Sequence, residues 1–241
     1  MDTRFWGPSG WQLFHLVAFR SQNPDDVLND MKNVLPCKFC RASTTEFVQK
    51  HPLRGDAGKW LFDIHNYVNN KLRTQCKDDP AVVNPGPDPS FEDVKRRYMA
   101  MTPKSGVPGR DFLFAIAVNY PDSPEEVDMA RQRTFIHKLA IAYPFEELRP
   151  VFASYLAENE VALSSRKSYT KWMYGLLKAL SKKSGKSISS YKGYLQHVLY
   201  YKSGCAKKSY KGKTCRRTAG GGLTKNRDHR RTFRVSHRSL L

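Results

Sequence analysis

Apolar side chains in this chain recur three and four residues apart and almost nowhere alternate, so helices are what it can fold into. Trp11 to Phe19 is apolar nearly all round, the mark of a buried helix. Asn23-Pro24-Asp25-Asp26 opens a second helix, with Pro and acidic side chains in the first turn, running through Val27, Leu28, Met31 and Val34. Pro36 opens a third, ending near His51-Pro52. A fourth starts near Asp56 and reaches about Leu72, with Trp60, Leu61, Ile64 and Val68 on one face. Residues 77–89 are a Pro-rich loop. Ser90 then caps a short fifth helix, in a capping box completed by Asp93. The expectation is an all-α chain whose first hundred residues form a four-helix bundle plus a short fifth helix.

The pattern then repeats. Leu13-Phe14 returns as Leu113-Phe114, and Pro24-Asp25-Asp26-Val27 as Pro124-Glu125-Glu126-Val127. Leu35-Pro36 matches Tyr143-Pro144, and Lys59-Trp60 matches Lys171-Trp172. The order is kept and the offset drifts slowly, as loop insertions would cause. Chance likeness between amphipathic segments is the alternative, and four ordered matches including a Trp favour duplication. The expected organisation is a first domain at 1–104, a second helical copy at 107–203, and a tail at 205–241. TPKSGVPG (102–109) joins the two copies.

Charge is unevenly placed. Residues 1–104 carry 15 basic and 12 acidic side chains, 105–204 carry 14 and 9, and 205–241 carry 12 and 1. The tail is poor in aliphatics and broken by Gly220-Gly221-Gly222, so disorder is expected past about Thr218. Its partner would be nucleic acid or another anionic surface, against the plain reading of a solvated basic extension. Hydrophobic residues make up 40% of the chain, enough for a packed core. No apolar run approaches the ~20 residues of a membrane helix, and the first residues lack the pattern of a secretory signal. Five cysteines in 241 residues are too sparse for a secreted disulfide scaffold.

Two of those cysteines form Cys37-Lys38-Phe39-Cys40, a CxxC at the start of a helix. Free N–H groups and the positive end of the helix dipole favour thiolate there, the species that attacks disulfides. A redox pair and half a zinc site both fit; the redox reading ranks first because zinc wants four ligands and no second CxxC exists. Trp11 and His15 lie one turn apart on one helix face, and His65, Asn66 and Asn69 share another. Aromatic faces, imidazoles, amides and Lys71 together suit a ring system with polar edges and a phosphate tail. Taken singly, each is equally a core or surface residue.

Three elements then coincide in order: Gly7-x-x-x-Trp11-x-x-x-His15, Leu35-Pro36-Cys37-x-x-Cys40, and His65-Asn66-x-Val68-Asn69-x-Lys71-Leu72. From residue 4 to about 100 the chain resembles the Erv/ALR family of FAD-linked sulfhydryl oxidases. Trp6-Gly7-Pro8 and the segment 89–98 look most like members from large DNA viruses. The resemblance implies a helical bundle holding FAD at one end and oxidising protein thiols to disulfides, with oxygen reduced to hydrogen peroxide. It implies Cys40 as the thiolate beside the flavin and Cys37 as the interchange thiol. It places Gly7, Trp11, His15, His65, Asn66, Asn69 and Lys71 on FAD-contacting positions, and Tyr98 as a further aromatic contact. It also implies a role in viral protein maturation in the host cytoplasm or virion, as a homodimer or an intrachain pseudo-dimer.

The second copy departs from this pattern. Phe145 and Leu148 stand where the cysteines belong, Asp111 and Ala115 replace Trp and His, and Leu177, Lys178 and Ser181 replace His, Asn and Asn. This copy is expected to be inert and to pack against the active one. Cys76 has no evident partner. Cys205 and Cys215 are either a relay pair or, as the wide gap between them favours, a surface disulfide or plain thiols. The competing class is a basic nucleic-acid-binding scaffold whose CxxC is structural or holds zinc.

Overall fold

The computed structural model describes residues 1–79 and 82–203. Cys205, Cys215 and the basic tail lie outside the described residues. Ten α-helices and one 3-10 turn account for the regular structure among them.

Helix α1 (Thr3–Arg20) is the centre of the molecule. It begins eight residues before the apolar run that announces it, because Asp2 caps it and accepts a hydrogen bond from the Arg4 amide at 2.9 Å. Pro8 sits inside this extension and removes one helical donor. Tertiary packing outweighs that cost: Phe5 stacks on Tyr201 at 4.7 Å and the Asp2 amide donates to the Tyr201 carbonyl at 2.9 Å. Helix α2 (Asp25–Val34) buries Val27, Leu28, Met31 and Val34, the face its spacing announced. Helix α3 (Lys38–Lys50) is capped by Cys37, and α4 (Ala57–Asp78) by Asp56, whose carboxylate accepts from the Lys59 amide at 3.0 Å. Helix α4 runs six residues past Leu72. Helix α5 (Phe91–Met99) is capped by Ser90. Asp93 answers by accepting from the Ser90 hydroxyl at 2.7 Å, so the reciprocal contact of the expected box goes to a side chain. In this half α4 and α5 pack on α1, and α3 packs on α2.

The segment joining the halves holds the 3-10 turn Pro103–Ser105. Then follow α6 (Arg110–Asn119), α7 (Glu126–Ala142), α8 (Arg149–Glu158), α9 (Arg166–Lys183) and α10 (Tyr191–Tyr200). Within this half α6 and α8 both pack on α9, and α10 covers α6.

The halves meet where α1 lies on α6 and α2 lies on α7. Phe112 of α6 is fully buried, edge-on to Phe14 at 5.2 Å and 5.8 Å from Trp6. Gly109, just before α6, has φ +76°, and a side chain there would collide with Leu13, so both backbone and space demand glycine. Ser9 of α1 caps α6 across the seam, its hydroxyl accepting from the Asp111 amide at 3.1 Å. Lys138 reaches Asp30 at 2.8 Å, and Arg20 lies over the Phe145 ring at 5.2 Å. One continuous apolar core runs through both halves.

Candidate functional site

The thiol pair stands where the sequence places it, at the N-terminus of α3. Cys37 is the cap itself: its sulfur accepts from the Cys40 backbone N–H at 3.3 Å. Hydrogen bonding from Cys40 draws the Cys37 thiol down to about 7, with the nearby α-ammonium of Met1 adding to the pull and burial opposing it. Cys37 is buried, whereas Cys40 is half-buried. Met1 lies over this end of the bundle, its nitrogen 3.5 Å from the Pro36 carbonyl and 3.2 Å from the Ser203 hydroxyl. Arg41 braces the turn by donating to the Leu35 carbonyl at 2.6 Å.

The aromatic cluster forms where α1, α4 and α5 converge. Trp11 stacks on His65 with ring centroids 3.9 Å apart and planes 11° off parallel. His15 lies one turn along, its Nε2 2.9 Å from His65 Nδ1, and Tyr98 of α5 stacks on it at 4.7 Å. Burial holds both imidazoles neutral: His65 is lowered to about 4, and His15 falls well below its usual value, with His65 beside it adding to the shift. One ring nitrogen of the pair must donate and the other accept. His15 Nδ1 is buried with no hydrogen-bond partner among the described residues. A buried polar atom left so costs about 1–3 kcal/mol, which a bound polar group would recover.

Helix α4 links this cluster to the thiols. Cys40, Ser43 and Phe47 share the face of α3 that meets it. Lys71 donates to the Ser43 hydroxyl at 2.6 Å and lies over the Tyr67 ring at 4.7 Å, and Tyr67 in turn contacts Phe47. Asn66 is half-buried on the same helix. Gly7 leaves the space above its Cα open. Asn69 is the exception, because its amide donates to Asp88 at 2.8 Å. Arg73 holds that carboxylate at 2.5 Å, and its hydrogen bond keeps Asp88 below the ordinary carboxylate range. Sequence reasoning missed Ser43, Arg73 and Asp88. The first two carry no motif, and Asp88 sits in a loop whose composition announces only a turn.

Rings, a neutral imidazole pair, an orphaned ring nitrogen and a nearby ammonium form a donor set that fits a planar heteroaromatic group with an anionic extension. Among the described residues no cluster of His, Cys, Asp or Glu could hold a metal ion. Cys76 is half-buried, its thiol donating to the Arg73 carbonyl at 3.2 Å. In the second half Phe145, Leu148, Ala115 and Leu177 are all buried in the core, and Asp111 accepts from the Tyr194 hydroxyl at 2.6 Å. No helix among the described residues is long and apolar enough to cross a membrane.

Comparison with known proteins agrees with this geometry. The profile of the Erv1/Alr family matches residues 8–85, which hold Cys37, Cys40, His15, His65 and Trp11. A probable FAD-linked sulfhydryl oxidase of Acanthamoeba polyphaga mimivirus is 34% identical over 85 residues, covering 29% of this chain and 59% of that one. The mitochondrial FAD-linked sulfhydryl oxidase of Saccharomyces cerevisiae is 31% identical over 85 residues, covering 30% and 45%. The FAD-linked sulfhydryl oxidase of African swine fever virus is 36% identical over 81 residues, covering 28% and 67%. The chain thus spans little more than half the length of the mimivirus relative and under half of the yeast one. No solved structure matches it. With a capped thiol pair, a stacked imidazole cluster and two thirds of a viral relative aligned, the chain belongs to the Erv1/Alr family.

Proposed function

We propose that this chain is an FAD-dependent thiol oxidase that makes disulfides in protein substrates, with oxygen as acceptor and hydrogen peroxide as product. The observation that carries it is the orphaned buried nitrogen of His15 inside a stacked cluster, one helix away from a thiol pair whose first sulfur is tuned to about 7. Trp11, His15, His65, Asn66, Lys71 and Tyr98 would hold FAD, with Gly7 leaving room and Asn69 acting through Asp88. When bound, FAD supplies a two-electron acceptor that oxygen can re-oxidise.

The protein's own steps are thiol–disulfide exchange. A substrate thiolate attacks Cys37 Sγ of the Cys37–Cys40 disulfide, and Cys40 leaves as thiolate. A second substrate thiolate attacks the substrate sulfur of the mixed disulfide, and Cys37 leaves. Two substrate thiols become one disulfide and the pair is reduced to two thiolates, which balance the two protons given up by the substrate thiols and retake them on protonation. The lowered thiol of Cys37 makes it the better leaving group in the second exchange. Cys37 is buried, so exchange requires the end of the bundle around it to open.

The second half is read as a degenerate copy of the first, an intrachain pseudo-dimer partner. The pairing of α1 with α6 and α2 with α7 supports that reading. Two relatives come from large DNA viruses, which supports a role in maturing viral proteins in a reducing cytosol, where disulfides do not otherwise persist.

The test is a visible absorption spectrum of the purified full chain, with oxygen uptake followed on adding dithiothreitol. A flavin spectrum with dithiol-driven uptake is expected, and Cys40→Ser should keep the colour and lose the uptake. A colourless, inactive protein after refolding with FAD would defeat the proposal.

A further inference from the structure

All of the chain's excess charge follows residue 160. Residues 1–160 carry 20 basic and 21 acidic side chains, whereas 161–241 carry 21 and 1. Within the described part, 161–203 hold nine basic residues and no acidic one. Helix α9 turns this bias into geometry. Lys167, Lys171, Lys178 and Lys182 are all exposed and fall within an arc of about 60° on one side of the helix. They span about 22 Å, with neighbours in each pair about 6 Å apart along the axis. None has a carboxylate partner among the described residues. Arg166, by contrast, is tied to Asp122 at 2.6 Å and to the Tyr120 carbonyl. The nearby acid Glu158 lies to the side, in a shallow groove lined by Tyr155 and Ala179.

We infer that this stripe is a binding site for the phosphate backbone of double-stranded nucleic acid, independent of sequence and of the thiol chemistry. A duplex carries one phosphate per about 3.4 Å of its axis on each strand, dense enough for each of the four lysines to meet one. A helix that inserts into a bilayer surface needs a free apolar face, and that of α9 is spent in the core, where Trp172, Met173, Leu176 and Leu180 are buried. Single strands are held by free aromatic platforms. Tyr174, the aromatic residue in the stripe, is engaged instead: its hydroxyl donates to the Ser189 carbonyl at 2.9 Å and its ring meets Tyr191 edge-on.

The test uses the full chain and a fluorescently labelled 20-base-pair DNA duplex, with anisotropy followed from 50 to 200 mM salt. Each phosphate contact contributes about 0.9 to the salt slope. Replacing Lys167, Lys171, Lys178 and Lys182 together by Gln should lower the slope by about 3.6 and weaken binding more than tenfold at 100 mM. The same four changed to Arg should bind as the parent does. Lys171→Gln and Lys178→Gln singly should each remove about 0.9, which keeps the test open if the quadruple variant misfolds by circular dichroism. Unchanged affinity and slope in the Gln variants would overturn the site. So would loss of binding to phosphatidylserine vesicles with duplex binding intact, which would assign the stripe to a membrane. Dithiol-driven oxygen uptake by the Gln variants should match the parent, so failure here and failure of the oxidase reading are separable.

Discussion

Phe112→Ala removes a ring from the second half and should destabilise the first. Phe112 is fully buried against Phe14 and Trp6, and its ring rests 3.2 Å from where a side chain on Gly10 would begin. Truncating a buried Phe costs about 3–5 kcal/mol. Two aromatic contacts place this one toward the top of that range, about 4–5 kcal/mol. For a chain of this size about 1 kcal/mol moves the melting point by 2–4 °C, so a drop of about 8–20 °C is expected. The assay heats the full reduced chain and follows two signals: near-ultraviolet circular dichroism, and alkylation of Cys37 read by mass spectrometry. Cys37 is buried in the first half, so its protection follows that half together with the Met1–Ser203 contact at its end. If the seam is one core, both signals fall together at the lowered temperature. If Cys37 keeps its protection at the parental midpoint while circular dichroism falls earlier, the halves are independent and the reasoning from α1 and α6 is wrong.

Ser9→Ala should cost about 1 kcal/mol by uncapping α6, read as a melting point lower by about 2–4 °C, with Ser9→Thr restoring it. The reduced protein should show a thiolate step at 240 nm near pH 7 that is missing in Cys37→Ser. Because that thiol lies below its unfolded value, its contribution to the stability of the reduced form is complete above the unfolded value of 9.0 and lost as pH falls through about 7. The His15–His65 pair should show no imidazole titration by nuclear magnetic resonance between pH 6 and 8. Its neutral form stabilises the fold fully above 6.5, and that contribution drains away as pH falls toward 4. In His65→Phe the step of stability across this window should shrink.

What the sequence made legible was whatever local chemistry decides. Val27, Leu28, Met31 and Val34 needed only spacing, and Ser90 and Asp56 only their side chains. The CxxC and the Trp–His turns were readable because each lies on one helix. What escaped depended on distant partners. The first two turns of α1 form despite Pro8 because Tyr201, two hundred residues on, holds Asp2 and Phe5. Asn69 turns to Asp88 because a Pro-rich loop folds back over α4. The Lys stripe of α9 reads in sequence as a general excess of charge, and becomes a line only once Trp172 and Met173 fix which side is inside.

Helix α1 has apolar partners on two sides, and one of them is made late. Phe112 emerges from the ribosome about a hundred residues after Phe14. At about 5–20 residues per second, α1 waits some 5–20 s for α6. The CxxC is complete during that interval, beside a helix whose second face is still bare. A chain stalled or released in this window presents an unpaired apolar surface beside the thiols, so the order of synthesis makes α6 the element that ends the exposure of that surface.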